Sequence, residues 1–271
     1  MQTIDLWTHG GLFSGIGGFD LAAGWNDIEN IFHCEVNPFS QYILKHYWPN
    51  SIQHDNVETA DFTIHRGKIR ILSGGFPCQD NSNANQSDTR KSGLQGLRTG
   101  LAFHMLRAVD EIRPEFVVPE NVGDFLTVNG GKDFRTILGE LAGMGYNAEW
   151  RICRSSDVGA PHHRERLYIV AYPNSLRMEK GQTFFSHVSE PHKQITWIPV
   201  GTPIQTYRGG AWSSEPPFPV VDYGFSDPMA GFTASQWRRE AIKAFGNAVS
   251  PQIPNAIFKG IKDIYNLHHT N

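Results

Sequence analysis

The stretch that most restricts the fold is Thr8 to Ala22. An extended run, Thr8 to Phe13, empties into Ser14-Gly15-Ile16-Gly17-Gly18 and then into the helical pattern Phe19-Asp20-Leu21-Ala22. Extended chain, clustered glycines and a helix in that order form the strand–turn–helix unit of an α/β protein. The glycines let the backbone turn sharply and let a ligand approach peptide groups beside a helix N-terminus. The same turn also serves tight packing, so alone it leaves ligand binding open.

The alternation of strand and helix repeats further along the chain. Ile28 to Cys34 reads as a second strand ending at Glu35, where a doubly wound sheet grips the hydroxyls of a ribose or simply solvates a carboxylate. Pro38 to Trp48 has amphipathic helical spacing, with Phe39, Tyr42, Ile43 and Tyr47 on one side. Asp55 comes after a third strand-like piece and either accepts from an adenine amino group or caps a turn. Ile69-Arg70-Ile71-Leu72 is a short buried strand, and Gly74-Gly75-Phe76-Pro77-Cys78-Gln79 presents a thiol at its end. Such a cysteine is either a nucleophile or a small apolar core residue.

Asp80 to Gly100 is polar and carries Arg90, Lys91 and Arg98, the texture of a lid. Leu101 to Ile112 resumes helical spacing until Pro114 stops it, and Phe116-Val117-Val118 is a strand delivering Pro119-Glu120-Asn121-Val122. Two strand ends of one sheet therefore carry Cys78 and Glu120. A thiol nucleophile beside a carboxyl acid suits attack on an electron-poor ring whose nitrogen must be protonated.

Within 271 residues there is room for one α/β domain and a small appendage, or for two modest domains, and 39% hydrophobic with 19% charged residues describes a soluble globular chain. No apolar run reaches membrane-spanning length and the N-terminus lacks signal-peptide character, so a cytoplasmic location is expected. The three cysteines, Cys34, Cys78 and Cys153, argue for a reducing compartment and against a disulfide framework. A net charge of −3 is a weak argument against a nucleic-acid partner, outweighed by how the charges are distributed. His162-His163 and His268-His269 have no cysteine or carboxylate at ligand spacing, so no metal is expected.

Five blocks now stand in order: Phe13-Ser14-Gly15-Ile16-Gly17-Gly18, Pro77-Cys78-Gln79, Glu120-Asn121-Val122, Arg164-Glu165-Arg166 and Gly246-Asn247-Ala248-Val249. Together they closely resemble the DNA cytosine-C5 methyltransferases, over residues 8–172 and 236–260. The resemblance implies a doubly wound, Rossmann-like sheet of the S-adenosylmethionine-dependent type with a small irregular target-recognition domain. It implies a catalytic set of Cys78, Glu120, Arg164 and Arg166, with Cys78 attacking C6 of cytosine and Glu120 protonating N3. Arg164 would orient the cytosine or its phosphate, supported by Arg166. The cofactor S-adenosylmethionine would meet Phe13 at its adenine, Gly15, Gly17 and Gly18 near its methionine portion, Glu35 at its ribose and Asp55 at its adenine amino group. Val36, Asn56, Pro77, Leu101, Asn247 and Val249 complete that implied pocket. Gln79, Ser82, Asn121, Val122 and His162 fall on the implied substrate side.

Two departures from the family pattern concern these residues. Pro161-His162-His163-Arg164 stands where glutamine usually precedes the arginine pair. Gly11 stands where an acid is frequent.

Gly145 to Arg154 and Arg166 to Tyr172 read as two further strands. From Pro173 to about Ser235 periodicity fades, and by resemblance this is the target-recognition region, or else an irregular excursion with Trp197, Trp212 and Trp237 as a miniature core. The domains are thus expected at 1–172, 173–235 and 236–271, the last a helix–turn–helix returning to the first. Because 173–235 is not basic, phosphate contacts fall to the lid, to Arg151, Arg154, Arg164 and Arg166, and to Arg238, Arg239 and Lys243. The implied substrate is double-stranded DNA with a flipped base, and the implied state is a monomer without metal or membrane contact. A tRNA cytosine-C5 methyltransferase lacks support because no cysteine comes after Cys153, and a silent DNA-binding homologue is opposed by the joint presence of Cys78, Glu120 and Arg164.

Overall fold

A computed structural model describes residues 6–77, 100–160, 163–189 and 234–269. The strands are β1 (Thr8–Leu12), β2 (Glu29–Cys34), β3 (Ile52–His54), β4 (Ile71–Gly75), β5 (Phe116–Val122), β6 (Tyr146–Arg154) and β7 (Glu165–Pro173). The α-helices are α1 (Gly18–Trp25), α2 (Pro38–Tyr47), α3 (Leu101–Ile112), α4 (Lys132–Gly143), α5 (Ala234–Asn247) and α6 (Gln252–His269). One sheet runs β3-β2-β1-β4-β5-β7-β6, parallel from β3 through β5, with β7 antiparallel to both its neighbours. The expected doubly wound α/β architecture is present.

Strand order turns back at β1: the chain winds outward through β2 and β3, then returns to place β4 on the other side of β1. In such sheets a crevice opens beyond the carboxyl ends of the strands at that reversal. The glycine turn after β1 and the Gly75–Pro77 exit of β4 both lie there.

Alternation along the strands divides the core. Phe116 and Val118 of β5, with Tyr168 and Val170 of β7, face a layer containing Phe19 of α1 and Ile257, Phe258 and Ile261 of α6. Their alternates Val117, Leu167 and Ile169 face Leu106, Val109 and Ile112 of α3 and Phe134, Ile137 and Leu141 of α4. Helix α2 begins at a strong local signal, since Asn37 Oδ1 accepts from the backbone N–H groups of Phe39 (3.0 Å) and Ser40 (3.1 Å), with Pro38 at the first position. No helix among the described residues is long and apolar enough to cross a membrane.

Several expectations need adjustment. Helix α4 has no counterpart in the sequence reading, and α5 continues through Gly246-Asn247, which read as a turn. Trp237 belongs to no miniature recognition core: it packs on α2, 4.7 Å from the ring of Phe39 and 5.9 Å from that of Tyr42. Trp197 and Trp212 lie outside the described residues.

The stretch directly after β7 does not leave the core at residue 173 either. Phe184, Phe185 and Val188 are buried in the α1/α6 layer, and Glu149 of β6 accepts from Thr183 Oγ1 and from the Phe184 N–H (3.1 Å). A Cβ on Gly260 of α6 would overlap the Phe184 carbonyl oxygen, which is backbone and cannot step aside cheaply. Gly260→Ala is therefore expected to cost about 1–3 kcal/mol through overpacking, read as a lower urea midpoint. An unchanged midpoint would mean that 174–189 does not pack on α6.

Candidate active site

Positive φ angles at Phe13 (51°), Gly15 (54°) and Gly17 (87°) bend the chain after β1. Ser14 N–H donates to the Cys34 carbonyl (3.1 Å) and Gly17 N–H to the Ser14 carbonyl (2.9 Å). The glycines do different work here. Gly15 faces a cavity of about 680 Å³ and has open space where a Cβ would be. Gly17 is bare because the Trp48 ring occupies the space of a side chain, and Gly18 because the Val249 carbonyl oxygen lies 2.7 Å from a would-be Cβ. Of these three, only Gly15 lines the cavity.

Glu35 closes one wall. Its Oε2 accepts from Gly15 N–H (2.7 Å) and its Oε1 from Asn37 N–H (2.8 Å), which fixes the carboxylate while leaving lone pairs directed elsewhere. Phe13, Val36, Asn56, Pro77, Leu101 and Asn247 also line the cavity, and Val36 is 70% exposed at its mouth. Asp55 and Val249 do not line it. Asp55 instead accepts from Gln41 Nε2 at 3.3 Å, whereas Val249 packs on Gly18.

The other end of the same cavity holds Glu120, Asn121, Val122, Arg164 and Arg166. Parallel pairing sets Gly75 of β4 directly beside Glu120 of β5, and a Cβ at Gly75 would sit 2.8 Å from Glu120 Oε2. Gly75 is thus the gap that the carboxyl occupies. Arg166 Nε lies 2.9 Å from Glu120 Oε1. Burial nevertheless pushes the Glu120 carboxyl above its ordinary value, opposed by the charges of Arg166 and Arg164. Asn121 Nδ2 donates to the Phe76 carbonyl (3.1 Å), tying the exit of β4 to β5. Arg164 Nη1 donates to the Gly246 carbonyl (2.6 Å) at the end of α5, so the returning segment holds this side chain.

Pro77, on the cavity wall, is the last described residue before Cys78. Cys78, Gln79, Ser82, His162 and the lid with Arg90, Lys91 and Arg98 lie outside the described residues. The remaining two thiols are poor nucleophiles: burial pushes Cys34 and Cys153 each up to about 12.

Sequence reasoning misses the contribution of α5, whose Glu240, Lys243 and Ala244 form a cavity wall. Lys243 is assigned to phosphate there on charge alone, and Glu240 carries no signal beyond its place two turns before Asn247. Arg154, also assigned to phosphate, is 2.6 Å from Glu165 Oε1. Among the described residues no three His, Cys, Asp or Glu side chains group as metal ligands. The acid absent at Gly11 has a neighbour in its place, since the carboxylate oxygens of Asp20 lie 3.5 and 3.6 Å from where a Gly11 Cβ would stand.

A crevice at the reversal point, continuous with a buried acid flanked by two arginines, marks a Rossmann-like α/β protein whose glycine turn and acid line one cavity. The family model for C-5 cytosine-specific DNA methylase matches residues 8–207, and the chain belongs to that family. Type II methyltransferase M.PspPI of Psychrobacter sp. is 32% identical over 167 residues, 61% of this chain and 39% of the relative. Type II methyltransferase M2.BsuMI of Bacillus subtilis is 27% identical over 261 residues, 93% of this chain and 60% of the relative. The chain spans less than two thirds of the length of either. Among solved structures, a prophage-encoded protein of E. coli shares the fold, with a TM-score of 0.63 at 17% identity, covering 96% of this chain and 99% of its own.

Proposed function

We propose that this chain transfers a methyl group from S-adenosylmethionine to C5 of a cytosine within a short sequence of double-stranded DNA, acting as a monomer on a base flipped out of the stack. The observation that carries this reading is the single cavity in which Gly15 and Glu35 stand at one end and Glu120, Arg164 and Arg166 at the other. The residues present suit the cofactor. The side-chain-free face of Gly15 leaves room beside the turn, and the fixed Glu35 carboxylate keeps acceptor capacity for ribose hydroxyls. When bound, S-adenosylmethionine supplies an electrophilic methyl group on a sulfonium.

The chain's own residues supply the rest. The Cys78 thiolate forms a bond to C6 of the cytosine, the ring electrons shift, and N3 takes the proton of Glu120. C5 thereby gains the electron density needed to accept a methyl group. Loss of the C5 proton to a base, expulsion of the Cys78 sulfur and return of the N3 proton to Glu120 then restore the aromatic ring. Glu120 suits its part because burial keeps its proton to a higher pH than an exposed carboxyl would. Arg166 beside it holds the carboxyl in place, and Arg164, pinned through Gly246, faces the base. The target-reading part falls within 173–235, after the segment 174–189 has packed on the core.

The test uses DNA in which every cytosine is replaced by 5-fluorocytosine, so the target sequence need not be known. The fluorine blocks loss of the C5 substituent, and the expected result is a denaturant-resistant protein–DNA adduct that forms only with S-adenosylmethionine present. Adduct formation on fluorinated tRNA instead of DNA would replace the substrate assignment. Binding without any adduct would leave only a DNA-binding homologue.

A further inference from the structure

Beneath the glycine turn lies a polar cluster that the proposed reaction does not use. His9 of β1, Asp20 of α1 and Ser73 of β4 are each fully buried, and His33 of β2 is 1% exposed. His9 Nδ1–H donates to Asn30 Oδ1 (2.7 Å), because Asn30 Nδ2 is itself spent on the Asp20 backbone carbonyl (2.9 Å). His9 Nε2 is then the acceptor for the Ser73 hydroxyl (2.7 Å). His33 Nδ1 donates to Asp20 Oδ1 at 2.9 Å. Burying a carboxylate among imidazoles is costly, and such a group persists where it fixes an arrangement.

Three buried atoms of this cluster lack a partner, Asp20 Oδ2, Ser14 Oγ and His33 Nε2, and the first two complement each other. Asp20 Oδ2 is an acceptor and Ser14 Oγ a donor, and neither has a hydrogen bond. Both sit on the side of Gly11 where a Cβ would be, 3.6 and 2.7 Å from that point. The cluster also meets each strand just before it reaches the cavity. Ser14 lies between the lining residues Phe13 and Gly15, His33 is two residues before Glu35, and Ser73 two before Gly75.

We propose that Asp20 is a positioning residue for cofactor binding: its Oδ1 holds His33 and its Oδ2 takes the Ser14 hydroxyl, directly or across one water, fixing the turn against Glu35. The Gly15–Glu35 hydrogen bond is thereby braced from below as well as made from above. This inference rests on the reading of the crevice as a cofactor site.

The experiment measures the dissociation constant of S-adenosylhomocysteine by calorimetry on the full chain, together with the urea midpoint of each variant. Asp20→Ala weakens binding by about 10-fold or more, the loss of a charge-assisted hydrogen bond. Asp20→Asn, whose amide still accepts from His33 and can donate to Ser14, restores most of the affinity. Ser14→Ala, which removes one oxygen and leaves the buried pair intact, weakens binding by roughly 3- to 5-fold alone and adds nothing in an Asp20→Ala background. A lower urea midpoint in Asp20→Ala with unchanged affinity would overturn the proposal, leaving Asp20 a core staple. If Asp20→Ala does not fold, unaltered affinity in Ser14→Ala overturns it equally. A wild-type chain that binds no S-adenosylhomocysteine would remove the cofactor reading and this inference with it.

Discussion

Glu120→Gln is expected to lower the methyl-transfer rate by about 10²- to 10⁴-fold, the usual contribution of a positioned general acid. Glutamine has the same shape, its carbonyl still accepts from Arg166 Nε, and the space left by Gly75 still holds it. What it cannot do is surrender a proton to N3. Affinity for S-adenosylhomocysteine should stay near that of the wild type, because Glu120 stands at the far end of the cavity from Glu35. Single-turnover rates under saturating DNA make the measurement, and near-normal turnover would rule out proton donation by this residue.

The same variant alters how stability depends on pH. Burial raises the Glu120 carboxyl in the folded chain above its unfolded value, so between those two values the folded state holds more protons than the unfolded one. Stability therefore falls as pH climbs through that window, beginning at the ordinary carboxylate value. Glutamine, which does not titrate, removes that slope, and denaturant midpoints across the acidic range show its loss.

Cys78→Ala is expected to bring turnover below detection and to abolish the 5-fluorocytosine adduct, with DNA and cofactor affinity largely kept. No other thiol can take over. Cys34 lines the cavity but burial holds it near 12, and Cys153 is equally suppressed within the sheet. The measurement is gel-shift affinity beside methyl incorporation. Loss of DNA binding in the alanine variant would contradict a purely chemical role for the sulfur.

Much of this is legible in the chain because local chemistry and global fold agree. The strand–glycine–helix run over Thr8 to Ala22, the proline-started α2 and the strand carrying Glu120 are each determined by nearby residues, and each forms where expected. Helix α4 carries Phe134, Ile137 and Leu141 at helical spacing, a pattern obscured by the glycines ahead of it. The role of Trp237 is not local at all, since its partners Phe39 and Tyr42 lie about two hundred residues earlier. Gly17 and Gly18 look like ligand contacts but answer to Trp48 and Val249, and no sequence signal distinguishes a glycine cleared for a ligand from one cleared for a neighbour. Glu240 and Lys243 enter the cavity wall only through the docking of α5 on α2.

The dependence of Arg164 on Gly246, and of Gly18 on Val249, has a consequence for biosynthesis. A ribosome delivers every described strand of the sheet, and the sixty residues that follow β7, before it delivers the segment that holds the arginine and covers the glycine turn. The apolar layer awaiting Ile257, Phe258 and Ile261 is open throughout that interval. Until α5 and α6 emerge, Arg164 has no Gly246 carbonyl to hold it and the glycine turn no Val249 against it.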